Sequence, residues 1–325
     1  MIYALKKVTM QALSSRERTN ALNEVRILAS IEHPNIVSYK EAFTYHDKYL
    51  CIIMEYADDG DLYQKLGRHQ KNNTHFEESD IWKIFISVVR GLYQLHKMDI
   101  FHRDLKSANV FLYSSTKAQV AKLGDLNVSK VAKDGMLYTQ TGTPYYASPE
   151  VWKDQPYDLK SDIWSLGCVC YEMCALVPPF RAENMDGLYK RVLKGSYSRI
   201  PKIYSDELSH VIKKLLNVNA QQRPTSEQIL TSELVQRKLR SFGLLDLIPD
   251  RLLKIEPQIE HLKYKKKYQS LESHREFDAN IGEGGHYNPK LLSTIQMPKN
   301  MKNLAKRLPK ANYDDNKLIN KKNKE

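Results

Sequence analysis

One segment near the middle of the chain combines several side chains suited to phosphoryl transfer. It reads His102-Arg103-Asp104-Leu105-Lys106-Ser107-Ala108-Asn109. This chemistry needs a carboxylate near the attacking hydroxyl, cations on the phosphates and accurate positioning, rather than covalent help from the protein. Asp104 suits the first task, Asn109 suits a metal site, and Lys106 suits a place between Asp104 and the transferred phosphate. A chance polar loop would need every position of the segment to agree by accident.

A second acidic segment supplies another candidate metal ligand. It reads Leu123-Gly124-Asp125-Leu126-Asn127. Asp125 carries the oxygen ligands that Mg²⁺ prefers, and Leu126 keeps a large apolar side chain beside it. The segment matches the metal-binding motif D-F-G at its first position, and Asn127 takes the place of the glycine. Asparagine is the residue that, after glycine, best tolerates left-handed backbone angles. We therefore expect metal binding by Asp125 to survive this change.

A lysine near the start of the chain is the candidate cation for the phosphates. Lys6 ends the run Tyr3-Ala4-Leu5-Lys6. This run fits the pattern V-A-I-K, whose lysine reaches the α- and β-phosphates of a nucleotide. Glu24 follows on the polar side of a helical stripe within residues 21–31. An ion pair between Lys6 and Glu24 would anchor that helix against the strand. Two unrelated surface charges are the alternative.

Two acidic residues farther along the chain have a structural rather than a chemical role in this interpretation. Glu150 closes the run Ser148-Pro149-Glu150, and a buried carboxylate there needs a cationic partner such as Arg223. Asp162 begins a strongly apolar run that is predicted to be helical, and we expect it to tie this helix to the loop at residues 102–109.

The elements that must position these residues follow from hydrophobic periodicity. Strands are predicted at residues 2–5, 49–56, 110–112 and 121–123, and helices at 21–31, 81–95 and from 161 onward, with an interruption at 177–180. Strands with one helix come first and mostly helices follow. The sequence therefore predicts an α+β, two-lobed architecture.

Composition narrows the class of protein. The chain has 325 residues, 42% of them hydrophobic, which is enough for a buried core and too apolar for a disordered chain. No uncharged apolar run is long enough to span a membrane, and the first residues do not resemble a signal peptide. Four cysteines do not make a disulfide scaffold, so we expect a reducing, cytoplasmic location. Cys168, Cys170 and Cys174 are expected to be buried helix residues rather than zinc ligands.

Positive charge is concentrated at one end of the chain. The formal net charge is +12, and more than half of it lies beyond residue 239. Lysine, asparagine and scattered prolines there predict a basic, largely irregular tail over residues 240–325. We interpret the tail as a docking or localising segment. Nucleic-acid or membrane binding as the primary function is an alternative, which a steep salt dependence of affinity would support.

Residues 2–239 resemble the eukaryotic protein kinase domain, and within it the NIMA-related serine/threonine kinases, protist members in particular. Beyond the motifs above, the resemblance is carried by Lys122-Leu123-Gly124-Asp125-Leu126-Asn127-Val128-Ser129-Lys130, Thr141-Gly142-Thr143-Pro144-Tyr145-Tyr146 and Pro178-Pro179-Phe180-Arg181-Ala182. It implies a kinase domain over residues 1–239, with a partial small lobe at 1–57 and a helical lobe at 58–239. It also implies ATP and Mg²⁺ as cofactors, protein substrates, and an association with the cytoskeleton or cilium.

The same resemblance assigns roles to individual residues. The adenine and ribose would contact Ala4, Met54 as gatekeeper, the hinge residues Glu55 and Ala57, Asp61 and Phe111. An apolar spine would stack Leu28, Tyr39, Leu126 and His102. Lys106 and Thr143 would mark the serine/threonine type. Thr139 would be the activating phosphorylation site, with its phosphate close to Arg103, whereas a plain loop threonine is the alternative.

The glycine-rich loop that covers the phosphates in kinases has no counterpart here, because only five residues precede Lys6. We expect a truncated product or, if the chain is complete, weak ATP binding. An active kinase is one interpretation, and a pseudokinase or scaffold is the other. The missing loop and Asn127 favour the second. The active kinase is favoured because each chemical role is filled, by Lys6, Glu24, Asp104, Asn109 and Asp125.

Overall fold

The structure is a computed structural model that describes residues 2–10, 25, 29, 31–46, 48–114, 120–125, 144–155 and 158–244. Nearly all of the predicted tail, from residue 245 onward, lies outside these ranges. The described chain contains a small antiparallel sheet, a second two-stranded sheet and a series of helices. This content confirms the predicted α+β class.

Three strands form the sheet of the small lobe: β1 (Tyr3–Thr9), β2 (Tyr39–Tyr45) and β3 (Tyr49–Glu55). β3 lies in the middle and pairs antiparallel with both neighbours, and its register sets Ala4 opposite Met54. The first strand is longer than the sequence predicted. β2 has no counterpart among the predicted strands, because it mixes polar and aromatic residues with few aliphatic ones.

Both faces of this sheet are buried at its centre. On one face Leu50 and Ile52 pack with Val25, and on the other Cys51 and Ile53 form a separate apolar cluster. Side chains of a strand alternate between faces, so a single apolar strand can serve both clusters. Val25 is helical, as the stripe at residues 21–31 predicted.

A two-stranded antiparallel sheet joins the lobes. β4 (Val110–Tyr113) pairs with β5 (Val120–Leu123). The backbone N–H of Leu123 donates to the carbonyl of Asn35 at 2.9 Å, and the N–H of Val37 donates to the carbonyl of Leu123 at 2.8 Å. The strand that leads to Asp125 is therefore tied directly to the chain entering the small sheet.

Helices build the large lobe. They are α1 (Leu62–Asn72), α2 (Glu78–Lys97), α3 (Pro149–Trp152), α4 (Leu159–Ala175), α5 (Met185–Lys194), α6 (Asp206–Leu215), α7 (Ser226–Leu230) and α8 (Glu233–Ser241), with short 3₁₀ turns at Ser107–Asn109 and Ala220–Gln222. α2 confirms the predicted helix at residues 81–95. α1 was missed, because only Leu62 and Leu66 are buried in an otherwise polar stretch.

Helix α4 is buried along nearly its whole length and forms the centre of the large lobe. Asp158 caps its start by accepting hydrogen bonds from the backbone N–H groups of Lys160 and Ser161, at 2.8 and 3.2 Å. The helix ends at Ala175, and its capping residue Leu176 has a left-handed φ of 59° that turns the chain toward the prolines predicted to interrupt it.

The three clustered cysteines lie within α4. Cys168, Cys170 and Cys174 are free and buried, as predicted, and burial raises the pKa of each thiol. In the ranges given above, no cluster of three or more His, Cys, Asp and Glu side chains could hold a metal ion. No helix within those ranges has both the length and the hydropathy that a membrane crossing requires.

An ion pair between Glu150 and Arg223 links distant parts of the large lobe. Nη1 and Nη2 of Arg223 donate to the two carboxylate oxygens of Glu150 at 2.6 and 2.8 Å. Arg223 also donates to the carbonyls of Asn217 and Lys160, and the Ser161 hydroxyl donates to Glu150 at 2.8 Å. The predicted contact is therefore present, with the additional hydrogen bonds that a buried charge requires.

The pair makes stability depend on pH. Burial alone would raise the pKa of the Glu150 carboxyl, but the hydrogen bonds and charge of Arg223 outweigh burial and hold it below its ordinary value of 4.5. A pKa lowered by folding contributes stability that is complete above the ordinary pKa and is lost as the pH falls through the lowered pKa.

We expect Glu150→Gln to reduce the free energy of unfolding at neutral pH by about 3 kcal/mol, because Arg223 is left buried without its counter-charge. The variant should also lose part of the acid dependence, measured by urea denaturation at a series of pH values. Glu183→Gln, the same change at an exposed residue, is the control. Equal stability and equal acid dependence in the two variants would contradict the prediction.

Candidate active site

The catalytic loop lies between α2 and β4, and its predicted chemical residues converge. Lys106 Nζ lies 3.1 Å from Asp104 Oδ2. Asn109 Nδ2 donates to the Asp104 carbonyl at 2.7 Å and to Asp104 Oδ2 at 3.2 Å. The 3₁₀ turn Ser107–Asn109 brings Asn109 back beside Asp104. Lys106 and Asn109, which were chosen with Asp104 from one sequence motif, therefore both contact it.

Asp125 follows β5 and lies against the same loop. The N–H of Gly124 donates to the Asn109 carbonyl at 3.0 Å, and Lys6 Nζ from β1 contacts Asp125 Oδ1. Asp125 has a φ of 50°, a conformation that is uncommon for residues other than glycine and that recurs at functional sites. Lys6 of the small lobe thus meets the carboxylate of the large lobe. Its predicted partner Glu24 lies outside the described residues.

The buried carboxylate of Asp162 holds the catalytic loop in place. It accepts hydrogen bonds from the backbone N–H groups of His102 at 2.9 Å and Arg103 at 3.1 Å. His96 Nε2 lies 2.9 Å from the same carboxylate. Arg103 has a left-handed φ of 63°, which costs about 1–2 kcal/mol and needs such support. The tie that the sequence predicted between Asp162 and the loop is present.

His102 packs its ring into the interior directly beside these groups. The side chain is fully buried, and burial lowers the pKa of its imidazole even though Asp162 and Asp104 act in the opposite direction. The ring is therefore neutral at physiological pH. Its burial is compatible with the predicted stack, but Leu28 and Leu126 of that stack lie outside the described residues.

A buried chain of polar groups connects the catalytic loop to α4. Ser107 Oγ lies 3.0 Å from Tyr146 Oη, which donates to Glu172 Oε2 at 2.7 Å. The Ser165 hydroxyl donates to the Tyr146 carbonyl at 2.9 Å. Burial raises the pKa of Tyr146 and of Glu172. Tyr146 is therefore held on one side by the loop and on the other by the central helix.

Several residues predicted to meet the nucleotide are paired through the backbone in the structure. Ala4 and Met54 are cross-strand partners in the small sheet, and Phe111 of β4 bridges to Asp61. A Cβ atom added to Gly124 would lie 2.5 Å from the Phe111 ring. Glycine at this position therefore lets the aromatic ring approach the backbone that leads to Asp125.

The predicted hinge is anchored at its first residue. Glu55 ends β3, its carboxylate lies 2.6 Å from Lys122 Nζ, and its N–H donates to the Ser38 carbonyl at 3.0 Å. Ala57 follows and is half-buried, and Asp61 caps α1 by accepting from the Gln64 N–H at 2.8 Å. Both the backbone and the side chain of Glu55 are thus fixed before the chain crosses to the large lobe.

Several predicted site residues cannot be compared with the structure. Those outside the described residues are Glu24, Leu28, Leu126, Asn127, Thr139 and Thr143. The activating role of Thr139 and the specificity role of Thr143 therefore stay predictions. Arg103, the expected partner of a phosphate on Thr139, lies on the described catalytic loop.

Sequence reasoning missed several residues that support the site. It assigned no role to His96, Ser107, Lys122, Tyr146 or Glu172. Ser107 and Tyr146 lie inside the quoted motifs, so their positions were visible, but their mutual contact joins residues 39 positions apart. Such a contact becomes apparent only when the fold brings the two motifs together.

Comparison with known proteins identifies the family of the chain. Residues 1–235 match the protein kinase domain family. The chain is 39% identical to serine/threonine-protein kinase Nek4 of Mus musculus over 74% of this chain and 30% of that protein. It is 40% identical to Nek3 of Mus musculus over 70% and 43%, and 35% identical to Nek2 of Mus musculus over 82% and 63%. The matches confirm the predicted resemblance to NIMA-related kinases, although the chain spans less than two thirds of each of these relatives.

We expect Tyr146→Phe to lower the rate of phosphoryl transfer and to reduce the free energy of unfolding by about 1–3 kcal/mol, because Glu172 and Ser107 lose a buried hydrogen-bond partner. Turnover and urea denaturation measure the two effects. Tyr145→Phe removes a neighbouring hydroxyl outside this chain of groups and serves as the control. Indistinguishable turnover and stability in the two variants would rule out the supporting role.

Proposed function

The chain belongs to the protein kinase domain family, and from this premise we propose that it transfers the γ-phosphoryl group of ATP to serine or threonine hydroxyls of proteins. One observation carries the proposal. Two groups of contacts hold the residues that this reaction requires, and the backbone hydrogen bond from Gly124 to Asn109 joins them, although Lys6 and Asp125 are 119 positions apart in the sequence. These residues are Lys6, Asp104, Lys106, Asn109 and Asp125.

Asp104 and Lys106 suit the transfer step. Asp104 would accept the proton of the attacking hydroxyl, which requires an ionised carboxylate within hydrogen-bond reach of that hydroxyl. Lys106 lies beside it and is partly exposed, so its ammonium group can turn toward the transferred phosphate. The two residues together would position the hydroxyl and offset the negative charge that gathers around it.

The oxygen donors of the cleft fit a magnesium ion. Asn109 uses its amide nitrogen to bind Asp104, which directs its amide oxygen away from that contact. Asp125 supplies a carboxylate, and Mg²⁺ is bound in proteins by a few such oxygens together with water. Asn109 and Asp125 would therefore hold the metal. A bound ion of this kind neutralises charge on the phosphates.

Lys6 suits the binding of the nucleotide phosphates from the small lobe. Its Nζ contacts Asp125, so cation and carboxylate share the cleft and limit each other's uncompensated charge. Ala4, Met54 and Phe111 would provide the apolar walls for the adenine ring. Glu55 and Ala57 would present backbone groups to its edge, which is consistent with the anchoring of Glu55 by Lys122.

A scaffold without catalysis is the competing function. A protein of that kind does not need its chemical residues to be held close together. The connected set of Lys6, Asp104, Lys106, Asn109 and Asp125 therefore favours an active enzyme.

The basic tail adds a proposal about partners. We infer that residues 240–325 dock an acidic cytoskeletal partner, because more than half of the net positive charge lies there. Cosedimentation with cytoskeletal filaments should weaken steeply as salt is raised. Binding that is insensitive to salt would contradict an electrostatic tail contact.

The kinase proposal predicts phosphate transfer from γ-labelled ATP with Mg²⁺ to a generic serine/threonine substrate. Asp104→Asn should lower the turnover number by about 100-fold or more, because the base is lost. Asp99→Asn makes the same chemical change in the turn after α2 and should leave turnover unaltered. Absence of transfer by the unmodified chain would favour the scaffold, and transfer unaffected by Asp104→Asn would refute the assigned base.

A further inference from the structure

A polar cavity lies in the large lobe, beside α5. Its volume is about 390 Å³, and its walls include Arg181, Arg191, Ser196 and Ser198. None of the residues assigned to catalysis or to nucleotide binding lines it. Its size falls within the range of about 300–1,000 Å³ that is usual for small-ligand sites.

The walls of this cavity present hydrogen-bond donors and positive charge. Arg181 and Arg191 each carry a guanidinium group, Ser196 and Ser198 each carry a hydroxyl, and Tyr171 carries a phenol. Of the described residues, no carboxylate lines the cavity. A neighbouring, more open cavity of about 540 Å³ shares both Arg181 and Arg191 and is also lined by Glu183. The inner cavity therefore has the character of an anion site.

Arg181 and Arg191 are available for such an anion. Within the part of the chain that the structure describes, neither guanidinium forms a salt bridge with Asp or Glu. The guanidinium fork matches the oxygens of phosphate with two parallel hydrogen bonds. The number of donors around the cavity exceeds what the two oxygens of a single carboxylate would use, so a phosphate group fits better.

The cavity is preformed by rigid elements. Pro178 and Pro179 restrict the backbone on one side, directly after the left-handed turn at Leu176. On the other side, the ring of Tyr197 packs edge-on against Tyr171 at 5.6 Å between ring centroids. The backbone around the cavity is therefore constrained, whereas the exposed side chains of Arg181 and Arg191 would become ordered when a ligand binds.

The same walls connect the cavity to the catalytic side of the lobe. Tyr171 directly precedes Glu172, whose carboxylate binds Tyr146 beside the catalytic loop. Helix α5 also packs against α3 through the rings of Tyr189 and Trp152, with centroids 5.9 Å apart. The cavity and the catalytic loop are therefore joined through the packed interior of the large lobe.

We propose that this cavity binds a phosphate monoester, and that its occupant is a phosphorylated side chain of a protein substrate. The substrate class rests on the proposed kinase function, whereas the phosphate site rests on Arg181, Arg191 and the hydroxyls around them. The chain would then prefer substrates that another kinase has already phosphorylated.

Binding of a fluorescent peptide to the full chain, without ATP, tests the phosphate site. The probe is a degenerate peptide with one fixed phosphoserine, and its twin carries serine. We expect the phosphopeptide to bind about tenfold or more tightly than its twin, because charge-assisted hydrogen bonds are lost with the phosphate. Arg181→Gln and Arg191→Gln should each remove most of that difference.

A matched variant separates the site from general charge. Lys190→Gln removes the same charge from α5 at a residue outside both cavities, and should change the affinity by less than about twofold. Equal binding of the two peptides, or equal losses in Lys190→Gln and Arg191→Gln, would overturn the proposal. Competition by inorganic phosphate with no preference for the phosphopeptide would reduce the site to a free-ion site and would overturn the substrate assignment.

Catalysis provides an independent readout. Arg181→Gln and Arg191→Gln should keep normal turnover on a generic unphosphorylated peptide but lose the preference for the phosphorylated one. If no transfer occurs with any substrate while the phosphopeptide still binds through the two arginines, the kinase proposal fails and the phosphate site stands. If transfer is normal but the phosphopeptide binds no more tightly than its twin, the phosphate site is refuted and the kinase proposal stands.

Discussion

The position of the catalytic loop depends on one buried carboxylate, that of Asp162. A polar group with no access to water is tolerated only when hydrogen bonds replace its hydration, and here the N–H groups of His102 and Arg103 provide them. The same bonds hold Arg103 in a left-handed conformation. These hydrogen bonds therefore fix the position of the loop that carries Asp104 relative to the start of α4, a helix that is buried along nearly its whole length.

Further contacts bind other segments of the large lobe to α4. Glu172 near its end binds Tyr146, and Ser161 near its start binds Glu150, which is paired with Arg223. The segment that follows residue 143 is thus tied to this helix at two places. Because buried polar groups are costly unless satisfied, a shift of either place would leave several of them without partners.

The small lobe contributes to the site through fewer contacts. Lys6 contacts Asp125 of the large lobe, and the backbone of Leu123 joins both lobes.

The helix at residues 81–95 was predictable because its apolar residues recur with helical spacing. Strand β2 and helix α1 were not, because their short, polar sequences become ordered mainly through packing against neighbours.

The sequence by itself determined which chemical groups are present, since Asp104, Lys106, Asn109 and Asp125 lie in short motifs whose spacing is local. It also determined the α+β class, because periodicity is a property of consecutive residues. Only the tertiary structure decided the contacts of Lys6 with Asp125 and of Ser107 with Tyr146. It also decided that Arg181 and Arg191 line the same cavity. These contacts join residues far apart in the chain, so their geometry exists only once the helices and strands have packed.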